Sequence, residues 1–143
     1  MSACDAQEPP KVPKEQLLSD QTYAIETVTT LANAIAPDMP WTEELFPEAS
    51  CFGADGIVNG YQTSFTLHLR TEAVGHDIDD VKVFEVSRAW LTERDYEFIR
   101  DTQYSNGTRE IRAVRENETD GIGISIKGHT GIVGITGTTK CRR

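Results

Sequence analysis

Three cysteines, three histidines and two short carboxylate runs hold most of the reactive side chains in this chain. Cys4 is the most informative of them. Ser2-Ala3-Cys4 reads as the tail of a bacterial lipobox, in which small residues precede a cysteine that becomes lipidated and N-terminal. Met1 stands where an aliphatic residue usually sits, and the reading expects a basic-then-apolar signal encoded just upstream. Cys51 and Cys141 lie in or beside the folded part. One lipid site plus one disulfide uses all three thiols, and an exported compartment allows both. A Cys51–Cys141 bridge closes a loop of about 90 residues, worth roughly 4–5 kcal/mol in the chain-entropy model. The alternative is three reduced thiols in a cytosolic protein.

The carboxylate runs suggest metals and then fail as sites. His76-Asp77-Ile78-Asp79-Asp80 gathers an imidazole and three carboxylates, but no second segment offers matching ligands. Adjacent aspartates before a helix are caps stabilised by its N-terminal dipole. Glu116, Glu118, Asp120 and Gly121 occupy positions 1, 3, 5 and 6 of a would-be calcium loop, yet position 12 is Lys127, where a bidentate Glu is needed. An acidic hairpin turn accounts for it better. No metal and no cofactor is expected.

Nucleophilic catalysis finds little support. Ser50, Ser64, Ser87 and Ser125 lack a nucleophile-elbow context, and Lys127-Gly128-His129-Thr130-Gly131 has no accompanying Ser-x-x-Lys. His68 falls on the polar side of its strand, and His129 reads as a turn residue. No catalytic residue is assigned, and an enzyme is not expected. Gly128, Gly131, Gly134 and Gly137 recur every third residue, with no helix after them to complete a phosphate cradle. Gly134 and Gly137 point to opposite faces of the last strand, where they suit close helix packing or a bulge. Val133 and Ile135 there are expected to leave an edge open to pairing. Asn106-Gly107-Thr108 and Asn117-Glu118-Thr119 match glycosylation sequons, which mean nothing in a bacterial chain.

The elements that must hold these residues are legible from periodicity. Asp5 to Lys14, with Pro9, Pro10 and Pro13, is a semi-rigid spacer. Leu17, Leu18, Ala24, Ile25, Val28, Leu31, Ala32 and Ile35 predict an amphipathic helix from about Lys14 to Ala36, stopped by Pro37 and Pro40. Trp41 to Cys51 reads as a proline-interrupted connector, with Trp41 and Phe46 as lids on the core. Tyr61, Phe65, Leu67 and Leu69 alternate with polar residues and predict a strand. A second helix runs to about Arg94, carrying Val83, Val86 and Trp90 on one face with Phe84 and Leu91 close by. Four strands follow, turning at Asn106-Gly107, at Asn117 to Gly121 and at Gly128 to Gly131. Trp41, Phe65, Trp90 and Phe98 are expected to fill the core. The predicted fold is α+β: two helices packed on one face of an antiparallel sheet of about five strands. Residues 1–14 form the lipid-anchor spacer and residues 15–143 a single globular domain.

Composition narrows the function classes. The net charge of −9 opposes nucleic acid and unaided docking on anionic lipid. No apolar run reaches the roughly 20 residues of a membrane span, so membrane attachment must be covalent.

In this order of parts the chain resembles the small cell-envelope lipoproteins of actinobacteria, of the LppA-like kind. The matching positions are Cys4, Cys51, Trp90 within Ser87-Arg88-Ala89-Trp90, the Tyr96-Glu97-Phe98 strand start, and Cys141 near the end. Lys140 and the Gly-rich last strand depart from that pattern. The resemblance implies lipidation at Cys4, a Cys51–Cys141 disulfide, and a place on the outer face of the cytoplasmic membrane. It implies no reaction. The expected role is a membrane-anchored, non-enzymatic binding domain with a protein partner of unknown kind and no nucleic acid. An immunity or phage-exclusion lipoprotein that blocks an incoming protein, and a carrier of an apolar ligand, are the alternatives.

Overall fold

The structure, a computed structural model, describes residues 14–52, 58–75, 78–116, 121–129 and 131–142. Helix α1 runs Lys14–Ile35, and strands β1 (Thr42–Phe52) and β2 (Val58–Arg70) follow. The single turn α2 (Thr71–Val74) leads into α3 (Asp80–Glu93). Strands β3 (Glu97–Gln103), β4 (Arg109–Glu116), β5 (Gly121–His129) and β6 (Ile132–Thr139) complete the chain. All pairings are antiparallel and the strand order is β1-β2-β6-β5-β4-β3. The α+β class holds, with six strands among the described residues where about five were expected. Of the spacer expected at residues 1–14, residues 1–13 with Cys4 lie outside the described residues, and Lys14 is already the first residue of α1.

The sixth strand is β1, over the segment read as a connector. Its apolar and polar residues do not alternate cleanly, because a register shift between Phe46 and Ala49 brackets Pro47. The proline cannot donate to a ladder, which fits an edge strand. Its carbonyl still accepts from Thr63 Oγ1 at 3.0 Å. Phe46 is half exposed rather than a lid, whereas Trp41 does pack against the core, donating from its indole to the Ala36 carbonyl at 3.3 Å.

Period-two alternation sends one face of each central strand inward: Phe65, Leu67 and Leu69 from β2, Ile111 and Ala113 from β4, Ile122, Ile124 and Ile126 from β5, Val133 and Ile135 from β6. The helices close over this face with Ala24, Val28, Leu31, Ala32 and Ile35 of α1, and Val83, Phe84, Trp90 and Leu91 of α3. Leu18, expected on that stripe, is exposed. Phe98 is 38% exposed, not a core residue, because a register shift between Phe98 and Arg100 disturbs the outer strand. Val133 and Ile135 do not border an edge: β6 is central, paired with β2 on one side and β5 on the other.

Glycine seats both long helices. A Cβ on Gly137 would stand 2.6 Å from Val28 Cγ2, and one on Gly128 would stand 2.8 Å from the Phe84 ring. The missing side chains let the helices approach the sheet. Asp79 caps α3, accepting from the Lys82 amide at 3.2 Å. Gly137→Ala should therefore cost about 1–3 kcal/mol, since Val28 is stiff and fully buried. Urea unfolding checks it, and an unchanged midpoint would mean that α1 does not depend on this seat.

Candidate functional site

Among the described residues the helices cover one face of the sheet, and the register lays out the other row by row. One row reads Thr42, His68, Gly134, Lys127, Glu110, Thr102 from β1 to β3. The next reads Glu44, Thr66, Thr136, Ser125, Arg112, Arg100, and the third Phe46, Ser64, Thr138, Gly123, Val114, Glu97. Cross-strand hydroxyls meet along it: Thr66 and Thr136 at 2.9 Å, Ser64 and Thr138 at 3.5 Å. An ordinary solvated sheet face carries long charged side chains. Here short hydroxyls and glycine on β2, β6 and β5 lie between His68, Lys127 and Arg112.

Because those side chains are short, the middle of the face is hollow. Its volume is about 390 Å³, lined by His68, Glu110, Arg112, Ser125, Lys127, Gly134, Thr136 and Thr138. His68 lies over Gly134, with Nδ1 3.3 Å from where a Cβ of residue 134 would stand. That Nδ1 is buried and forms no hydrogen bond among the described residues. Arg112 is exposed and makes neither hydrogen bond nor ion pair among the described residues.

Glu110 holds the cationic side of the hollow in place. Its side chain is only 6% exposed and accepts from Arg100 at 3.0 Å and from Lys127 at 3.3 Å, with the Tyr104 hydroxyl at 3.5 Å. Burial pushes the carboxyl up, but the hydrogen bonds from Arg100 and Lys127 outweigh it and hold Glu110 below its ordinary value of 4.5. At the far edge the hydrogen bond from Arg88, which reaches Asp101 at 2.6 and 2.8 Å, lowers the Asp101 carboxyl too.

The residues singled out by sequence fall into separate places. Cys51 and Cys141 sit at disulfide distance, with Cα atoms 6.0 Å apart. His68, Ser64, Ser125 and Lys127 come together on the open face. Ser87 is buried in α3, donating to the Val83 carbonyl at 2.7 Å. His129 ends β5 rather than making a turn, its Nδ1 2.9 Å from Thr108 Oγ1. His76, Asp77 and residues 117–120 of the would-be calcium loop lie outside the described residues, as do the second sequon and Thr130. Among the described residues no group of three His, Cys, Asp or Glu side chains is placed to hold a metal ion, and no helix is long and apolar enough to cross a membrane. Glu110, Arg112 and Thr136 escaped the sequence reading. The available signal was the small polar character of alternate positions in β2, β5 and β6.

One further polar site ties the chain ends together. Asp20 of α1 is buried and accepts a fork from Arg142, at 3.0 and 3.2 Å, with Gln16 donating at 2.9 Å. The Arg142 backbone also pairs with that of Tyr61.

No family model matches the chain, and neither does any curated protein or solved structure. The geometry stands alone.

Glu110 sets the pH behaviour of the face. Its folded value lies below its unfolded one, so its stabilisation is complete above about pH 5 and disappears as the pH falls through the folded value. Asp80, raised chiefly by burial, works in the opposite sense. It is common to wild type and a Glu110→Gln variant, so their difference isolates Glu110. Wild type should exceed the variant by about 1 kcal/mol at pH 7, modest because Arg100 and Lys127 are exposed. The gap should shrink in urea unfolding as the pH falls below the ordinary value of 4.5 and through the folded one. A constant gap would remove Glu110 from the acid response.

Proposed function

We propose that this chain is a lipid-anchored, extracytoplasmic binding domain that works through the uncovered face of its sheet and catalyses no reaction. The observation that carries the binding half is the polar hollow in the centre of that face. The layer between helices and sheet, by contrast, is packed with Leu31, Phe84, Leu91, Ile111, Ile124, Ile126 and Ile135, all fully buried. That favours a surface receptor over a carrier with an interior apolar pocket. The anchoring half draws on Ser2-Ala3-Cys4 and on the pairing of the other two of the three cysteines.

An oxidised Cys51–Cys141 bridge belongs to this reading. It spans 90 residues and staples the edge strand β1 to the C-terminal tail beyond β6. In the chain-entropy model it is worth roughly 4–5 kcal/mol. A Cys51→Ala/Cys141→Ala variant should lose most of that in urea unfolding, and reductant should shift wild type toward the variant. Indifference to reductant would point to free thiols and a reducing compartment.

Mass spectrometry of the native protein tests the anchor: the expected N-terminus is a lipidated Cys4, and an unmodified one retaining Met1 would overturn it. Thr136→Glu, which places a charge in the middle of the hollow, tests the face. Partner capture from envelope extracts should fall with this variant while the melting temperature holds. Undiminished capture would assign binding to another surface.

A further inference from the structure

We infer that the hollow on the uncovered face is a receptor for a phosphate group, carried by a soluble ester or by a lipid headgroup. This deepens the proposed function and rests on its reading of that face as the working surface.

Charge selects the ligand class. Arg112 and Lys127 against Glu110 leave one net positive charge in the lining of the hollow, with Arg100 paired to Glu110 just outside it, on a chain whose net charge is −9. The other carboxylates of this face, Glu44 on the β1 edge and Glu97 and Glu116 toward its far end, are not part of the lining. Glu110 does not cancel the site. Its oxygens are engaged by Arg100, Lys127 and Tyr104, so it acts as the buried post that aims those donors. A metal cation is disfavoured by this balance. A neutral sugar would call for an aromatic platform, and no Phe, Tyr or Trp lines the hollow.

Donors remain for an anion to use. Arg112 offers a planar fork with no protein acceptor among the described residues, and such forks match the oxygen spacing of phosphate. Ser125 and Thr136 follow Arg112 in the same row across β5 and β6. On the far side stands His68, whose ring packs over Gly134 and walls the hollow.

Gly134 supplies the space. His68 and Lys127 are two strands apart, about 10 Å, and the residue between them has no side chain. The hollow of about 390 Å³ has room for the oxyanion and the first atoms of whatever carries it.

Amide chemical shifts of the full chain, titrated with inorganic phosphate and with chloride at matched ionic strength, test this. Phosphate should give saturable shifts centred on Ser125, Gly134 and Thr136, and chloride should not. Arg112→Ala should weaken phosphate binding at least about tenfold, the loss of one charge-assisted contact. Gly134→Val fills the hollow with a residue that strands favour, so the shifts should vanish while the fold persists. Arg112 is exposed, so its variant keeps the test decisive if Gly134→Val misfolds.

Sedimentation with phosphatidylcholine vesicles, with and without phosphatidic acid, separates the sources. Pelleting only with phosphatidic acid, competed by free phosphate, identifies a headgroup; a phosphate response without pelleting identifies a soluble ester. No saturable response to either probe, or one that both variants retain, overturns the proposal. Loss of partner capture in Thr136→Glu without any phosphate binding would refute the ligand class alone. Capture that survives Thr136→Glu would refute the working face itself.

Discussion

The last strand in sequence, β6, is one of the two central strands of the sheet. Everything else hangs on β6: the β1-β2 hairpin pairs along one side of it and the β3-β4-β5 meander along the other. Without it these would be two separate antiparallel pieces, each with one apolar face and an unpaired inner edge. Its glycine at position 137 is the seat on which Val28 brings α1 down across the join. The residues just beyond it then lock the arrangement, through the Arg142 fork on Asp20 and the approach of Cys141 to Cys51.

Placing β6 in the centre also divides the labour between the two sides of the sheet. Its inward residues, Val133, Ile135 and Gly137, serve the helices, and its outward residues, Gly134, Thr136 and Thr138, line or border the hollow. The two glycines do opposite work. Gly137 admits a helix; Gly134 keeps a space. The same period-two geometry that buries one set displays the other, so the candidate site and the core share a backbone and cannot shift relative to one another.

Local patterns were the legible ones. The stripe from Ala24 to Ile35 and the alternation from Tyr61 to Leu69 are each complete within a single element, and both elements formed where the sequence places them. What escaped depends on partners distant in the chain. β1 has Pro47 and a register shift in its middle, so its pairing with β2, not its own periodicity, makes it a strand. The same holds for Val133 and Ile135: local alternation marks a strand but does not say whether neighbours flank it. Nothing local marks Asp20 as a buried residue, because its partner Arg142 lies 122 positions away. For the hollow, Ser125 and His68 were visible as residues, yet their meeting with Arg112 and Thr136 needed the order β2-β6-β5-β4.

The arginine-aromatic contacts on the helix side have a practical consequence. Trp90 is nearly buried beneath the Arg94 guanidinium, 4.1 Å from its ring centre, and close to Tyr96. Trp41 is tucked against the core by its bond to Ala36. These are the chain's two tryptophans, and both face away from the hydroxyl-lined surface. Tryptophan fluorescence will therefore report on the integrity of the covered layer and remain dark to whatever occupies the open one. The molecule carries its own optical label for unfolding, on the side opposite to its candidate site.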